Sequence, residues 1–79
     1  MKISIIVTLK KEVLDPQGKV VGQTLKNMGY NNISGVRQGK YFEIIVDEED
    51  KNKAKTVAEE ACRKLLANLI IEDYSINIQ

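Results

Sequence analysis

The chain has 79 residues, with 12 Lys and Arg against 11 Asp and Glu, no His and a single Cys. A chain this short buries only roughly 60% of its unfolded surface, which implies one domain, residues 1–79, that leans on a partner, with self-association as the first expectation. The net charge of +1 gives no electrostatic reason to bind nucleic acid or an anionic membrane, and the lone Cys62 excludes a disulfide framework within one chain and fits a reducing cytoplasm.

From Lys2 to Lys10, Ile3, Ile5, Val7 and Leu9 alternate with Lys2, Ser4, Ile6 and Thr8, the period of a strand with one buried face. The run is too short to span a bilayer or to read as a signal sequence. "VLDPQGKVV", Val13 to Val21, could be a hairpin turn, a phosphate loop or a helix start. Asp15 is a good N-cap acceptor, Pro16 suits the first helical position, and Val21, Leu25 and Met28 recur at helical spacing, so a helix begins here and ends at Gly29.

"NNISGVRQGKYFEIIVD", Asn31 to Asp47, reads as two strands joined by a tight turn at Gln38 and Gly39, glycine supplying the positive φ. That register sets Arg37 opposite Lys40, Ile33 opposite Ile44, Gly35 opposite Phe42 and Val36 opposite Tyr41. A second helix follows the acids Asp47 to Asp50, with an apolar stripe of Ala54, Val57, Ala58, Ala61, Cys62 and Leu65. Asn68 is expected to end it in the left-handed conformation. A last strand places Tyr74, Ile76 and Ile78 on one face and Asp73, Ser75 and Asn77 on the other.

The order β, α, β, β, α, β is that of an α+β ferredoxin-like two-layer sandwich: a four-stranded antiparallel sheet with two helices on one face. Outward positions Ile6, Val36, Tyr41 and Ile45 would then form an apolar patch on the uncovered sheet face, the expected interface of a homodimer or a dimer of dimers.

Little in the chain can do chemistry. Without His the usual near-neutral base and imidazole metal ligands are missing; Cys62 sits on a core stripe; the acids Asp47 to Asp50 suit a helix N-terminus better than a metal. "DPQGKVVG" has the wrong spacing for a phosphate loop. No catalytic residue, metal or cofactor is assigned to this chain. An RNA-binding module shares the topology, and "GKYFEIIV" loosely echoes its third-strand signature, but the first strand offers no outward aromatic to stack a second base. A regulatory module binding a small molecule, such as an amino acid, is the other alternative.

"VLDPQG" (Val13 to Gly18), "VRQGK" (Val36 to Lys40) and "LLANLIIEDY" (Leu65 to Tyr74) occur in an order and spacing that resemble the small-subunit (PurS) family of phosphoribosylformylglycinamidine synthase, over nearly the whole chain. Leu69 stands where that family usually has proline. The resemblance implies a non-catalytic adaptor of an amidoligase in purine biosynthesis, joining a glutaminase subunit to a synthetase subunit that carries ATP and Mg2+. It also implies partner contacts in the matching segments, at Arg37, Lys40, Glu72, Asp73 and Tyr74; Asp15, Pro16, Gly39 and Asn68 keep the cap and turn roles that their local chemistry gives them.

Overall fold

Lys2–Leu9 forms β1, whose inward side chains Ile3, Ile5 and Val7 are fully buried, while on the opposite face only Ser4 is covered. The computed structural model describes residues 1–79. In it β1 is the centre of a three-stranded antiparallel sheet, flanked by β2 (Gly39–Ile45) and β3 (Glu72–Ile78) in the order β2-β1-β3. Ile5 lies between Phe42 and Ile76, and Ile3 between Ile44 and Ile78, so the three strands share one apolar face. On that face lies α2 (Lys51–Ala61), which packs against β3 and continues as a wider π-helical turn, Cys62–Leu66. Ala54, Ala58 and Cys62, spaced four apart, are fully buried, and their small size lets the helix sit close over the sheet.

The fourth strand expected from Ile33 to Arg37 does not form, and this overturns the four-stranded sandwich. Its backbone and side chains have other partners. The Gln38 N–H donates to the Asp15 carboxylate (2.8 Å), Arg37 donates to loop carbonyls, and Val36 packs on the first helix, α1 (Pro16–Asn27). The outer edge of β2, where that strand would lie, is left unpaired. Val36 accordingly stands apart from Ile6, Tyr41 and Ile45 rather than joining their patch.

The two helices do not share a face of the sheet either. Residues 30–38 run irregularly beside α1, and together they form an arm that barely touches the sheet. The chain therefore measures 49 × 25 × 14 Å with a radius of gyration of 15.9 Å, against about 12 Å for a compact domain of this length. Only 11 of 79 residues are buried, and in α1 the only one is Gly18. Val20, Val21, Met28 and Tyr30 on the arm, and Leu65, Ile70 and Val57 elsewhere, are exposed.

Two further expectations are corrected. Gly39 makes no hairpin and has no positive φ; it opens β2 opposite Thr8, where a Cβ would come within 2.6 Å of the Val7 carbonyl oxygen, so close backbone approach requires glycine. Asn68 is not left-handed, because the π-helical turn has already released the chain at Ala67 (φ −128°, ψ 140°). Instead Asn68 heads a turn: its carbonyl accepts from Ile71 N (3.1 Å) and Glu72 N (2.7 Å), and its Oδ1 accepts from Ile70 N (3.2 Å). The one left-handed residue is Gly29, φ 99°, at the end of α1.

Candidate functional site

The residues with something to offer a partner gather where β1 ends at Leu9. The loop leaving β1 turns into α1 at Asp15, which is in extended backbone (φ −108°, ψ 91°) ahead of Pro16, whose ring needs no N–H there. Asp15 is only 4% exposed, and its two carboxylate oxygens serve different segments. Oδ1 accepts from Gly18 N at 2.9 Å, capping α1, and Oδ2 accepts from Gln38 N at 2.8 Å, anchoring the entry to β2. These two N–H donors, with the Arg37 guanidinium nearby, hold the carboxyl below the usual carboxylate range despite its burial.

Arg37 reaches in the opposite direction. Its Nη1 donates to the Val13 carbonyl (3.0 Å) and its Nη2 to the Lys10 carbonyl (3.0 Å), so the guanidinium fork spans the β1–α1 loop. The side-chain amide of Gln38 donates to Gln17 across the same gap. Lys40 does not face Arg37; across the end of β1 it pairs with Glu72 (3.5 Å), whose other oxygen accepts from Asn68 N (2.8 Å). Asp73, on the opposite sheet face, pairs with Lys10 (3.8 Å), and Tyr74 is half-buried against the core beside Val7.

Val7, Leu9, Asp15, Gln17, Gln38, Gly39, Lys40 and Glu72 thus line a polar groove of about 200 Å³. A second groove of about 290 Å³ runs between α1 and residues 33–37. Neither holds a nucleophile beside a base. In the first, Asp15, Lys40 and Glu72 are each engaged with a partner in the chain, which suits fastening rather than catalysis. In the sequence, Asp15 ahead of Pro16 and a helical period signals the first of its bonds, the cap; its second bond, to Gln38 N, has no signal there, Gln38 reads only as a turn residue, and Gln17 is given no role.

No group of three or more His, Cys, Asp or Glu is placed to hold a metal ion. In the acidic run, Glu48 Oε1 accepts from Glu49 N and Asp50 N, and Asp50 caps α2 by accepting from Asn52 N at 2.8 Å. No helix is long and apolar enough to cross a membrane. Burial pushes the Cys62 thiol up, and the Glu59 charge adds to it, so the thiol stays protonated. The folded chain is therefore expected to resist alkylation by iodoacetamide at pH 7.5 and to react fully in urea; rapid labelling of the native protein would contradict the buried placement.

On the open sheet face, Ile6, Tyr41 and Ile45 are exposed. The Tyr41 hydroxyl lies 3.0 Å from Ser4 Oγ and 3.2 Å from Glu43 Oε1, so the side chain is tied to β1 and to its own strand, on the face that also carries Lys2, Ile6 and Ser75. The face mixes apolar and charged groups and offers no second aromatic for a nucleic-acid base.

The sequence matches the profile of a family described as PurS, phosphoribosylformylglycinamidine (FGAM) synthase, over residues 2–79. It is 41% identical over 78 residues to the PurS subunit of phosphoribosylformylglycinamidine synthase from Methanocaldococcus jannaschii, covering 99% of this chain and 94% of the relative. With the Bacillus subtilis subunit the identity is 42% over 78 residues, covering 99% and 92%. The crystal structure of M. jannaschii PurS is similar at a TM-score of 0.90 and 42% identity, over 99% of this chain and 94% of that one. A chain of the structure of PurLQS from Thermotoga maritima is similar at 0.89 and 30% identity, over 96% and 93%. Scores this high over nearly full length include the arm as well as the sheet, so the open shape recurs in these proteins.

Proposed function

This chain belongs to the PurS family of phosphoribosylformylglycinamidine synthase subunits, and from that premise we propose that it is the adaptor holding a glutaminase subunit against an ATP-dependent synthetase subunit in the cytoplasm. It serves purine biosynthesis within a ligase that uses ammonia from glutamine to convert formylglycinamide ribonucleotide to its amidine. ATP and Mg2+ belong on the synthetase, where the substrate is activated for attack by ammonia. The observation that carries the adaptor role is the imbalance between chemistry and surface. The charged groups at the Leu9 end are engaged within the chain, while a 49 Å molecule buries only 11 residues and leaves its arm uncovered.

A second copy of the chain is the occupant we assign to the arm. The missing fourth strand leaves the edge of β2 open, and the apolar residues of α1 lie off the sheet they would otherwise cover, so each copy both lacks a cover and carries one. Ile6, Tyr41 and Ile45 on the open face provide a second surface, enough to join dimers in pairs. The end of the sheet carrying Arg37, Lys40, Glu72 and Asp73, with Tyr74 beside them, is the surface proposed to meet the larger subunits.

Reconstitution tests this reading. Alone, the chain should neither hydrolyse ATP nor release ammonia from glutamine. Added to the two larger subunits, it should raise glutamine-dependent product formation strongly and change the reaction much less when free ammonia is in excess, because excess ammonia bypasses delivery. Equal stimulation of both reactions would mean that it activates the synthetase itself, and no stimulation of either would defeat the adaptor role.

A further inference from the structure

We propose that Asp15 and Arg37 form a two-point lock that fixes the angle of the arm to the sheet, making them the positioning residues of assembly. The arm joins the sheet through two chain crossings, residues 10–15 and residues 37–38, and almost no packing of α1 on the strands supports it. Two unsupported crossings would hinge. What spans them is reciprocal: a carboxylate on the first crossing accepts the backbone N–H of the second, and a guanidinium on the second donates to two carbonyls of the first.

Each half of the lock resists a different motion. The Asp15 carboxylate ties the first turn of α1, through Gly18 N, to Gln38 N at the start of β2, so the helix cannot rotate without losing one bond. The Arg37 fork holds the carbonyls of Lys10 and Val13, which bracket the bend in the loop, so the loop cannot straighten. Lys19, Lys26, Lys40 and Glu72 are the other charged groups lining the two grooves around Asp15. None of these four side chains is bonded to the side chain of Asp15 or Arg37 in the structure, and the only other side-chain bond across the gap is the neutral one from Gln38 to Gln17, which leaves the ionised bonds of the lock to those two side chains. Charge-assisted bonds are stronger than neutral ones, and both halves use one ionised partner, the Asp15 half sheltered and the Arg37 half exposed. The consequence for assembly rests on the proposed cover of the arm by a second copy. A docking surface delivered at a fixed angle binds without the cost of ordering it first.

The test uses the full chain with spin labels at Asn27→Cys, near the tip of the arm, and Lys55→Cys, on the exposed side of α2, with buried Cys62 left native. Labelled chain is diluted into excess unlabelled chain so that only distances within one copy are read. A single narrow distance is expected for the parent chain. Asp15→Ala and Arg37→Ala should each lose that peak to a broad distribution while β1 amides keep their exchange protection. Asp15→Asn, which keeps one acceptor oxygen, and Arg37→Lys, which cannot span both carbonyls, should fall between. Should an alanine variant lose β1 protection, the widths of these milder variants decide. A peak that stays narrow in the folded variants would overturn the lock. Sedimentation of the same samples separates the two readings: a parent chain that runs as a monomer would refute the second-copy cover, while the distance widths still judge the lock.

Discussion

Ile5→Ala is expected to destabilise the chain by about 2–5 kcal/mol, the usual cost of deleting a buried branched side chain and leaving a cavity. Ile5 is fully buried at the centre of the middle strand, between Phe42 and Ile76 and under α2. The whole core is seven buried residues, of which only Ile3, Ile5, Val7 and Cys62 are larger than alanine. Against a total stability of about 4–12 kcal/mol for 79 residues, at roughly 0.05–0.15 kcal/mol per residue, the loss is a large fraction. Urea titration should show the midpoint collapse. Ile6→Ala, one position along on the opposite face, should change folding by less than about 1 kcal/mol. A loss below about 1 kcal/mol for Ile5→Ala would mean that the sheet and α2 do not form the core described.

The contrast between Ile5 and Ile6 was legible in the sequence, because the alternation of β1 is a local signal written in neighbouring residues. The same holds for the helix start at Asp15 and Pro16, for Gly29, and for the two faces of the last strand. Residues 33–38 carried a signal equally good to the eye, with apolar residues flanking a glycine-bearing turn, and it misled. What decides their conformation is not in the segment. Gln38 N is claimed by a carboxylate 23 positions earlier, Arg37 by carbonyls 24 and 27 positions earlier, and Val36 by the bare backbone of Gly18 and Gly22. Pairing preferences of a hairpin are worth fractions of a kcal/mol per cross-strand pair, and charge-assisted bonds from a distant loop outweigh them.

The candidate site was legible to a similar degree. Arg37, Lys40, Glu72 and Asp73 stood out through a family resemblance, and the structure places them at one end of the sheet, though as Lys40 with Glu72 and Asp73 with Lys10 rather than as Arg37 facing Lys40. Pairings of this kind join residues far apart in the chain, Lys40 to Glu72 and Lys10 to Asp73, and depend on strand register, which no local pattern encodes. Leu65 shows the same limit from the other side. It sits on the periodic stripe of the second helix, yet within the wider turn Cys62–Leu66 it is exposed, as Val57 on the same edge of the stripe already is. A helical period read from the sequence assumes 3.6 residues per turn throughout, and one π-helical turn shifts every later position.

Gly18→Ala and Gly22→Ala should act in opposite directions, although both add one methyl to the same helix four residues apart. In isolation either change favours the helix by roughly 1 kcal/mol. At Gly22 the new Cβ would lie 3.5 Å from Val36 Cγ2, an ordinary contact, so the gain should survive as a higher melting temperature. At Gly18 it would come within 2.6 Å of the Val36 carbonyl oxygen and 2.7 Å of Asp15 Oδ2. Neither can yield cheaply, since one is backbone and the other is bonded to Gln38 N. The variant must push residues 36–38 away from α1, which breaks the anchor between arm and sheet and is expected to cost about 1–3 kcal/mol net of the helix gain. Thermal melts give the two signs, and hydrogen exchange at Gln38 N locates the damage, which should rise in Gly18→Ala and stay at the parent value in Gly22→Ala. Two variants with the same sign and the same Gln38 exchange would show that residues 36–38 do not lie against α1 as closely as the geometry requires.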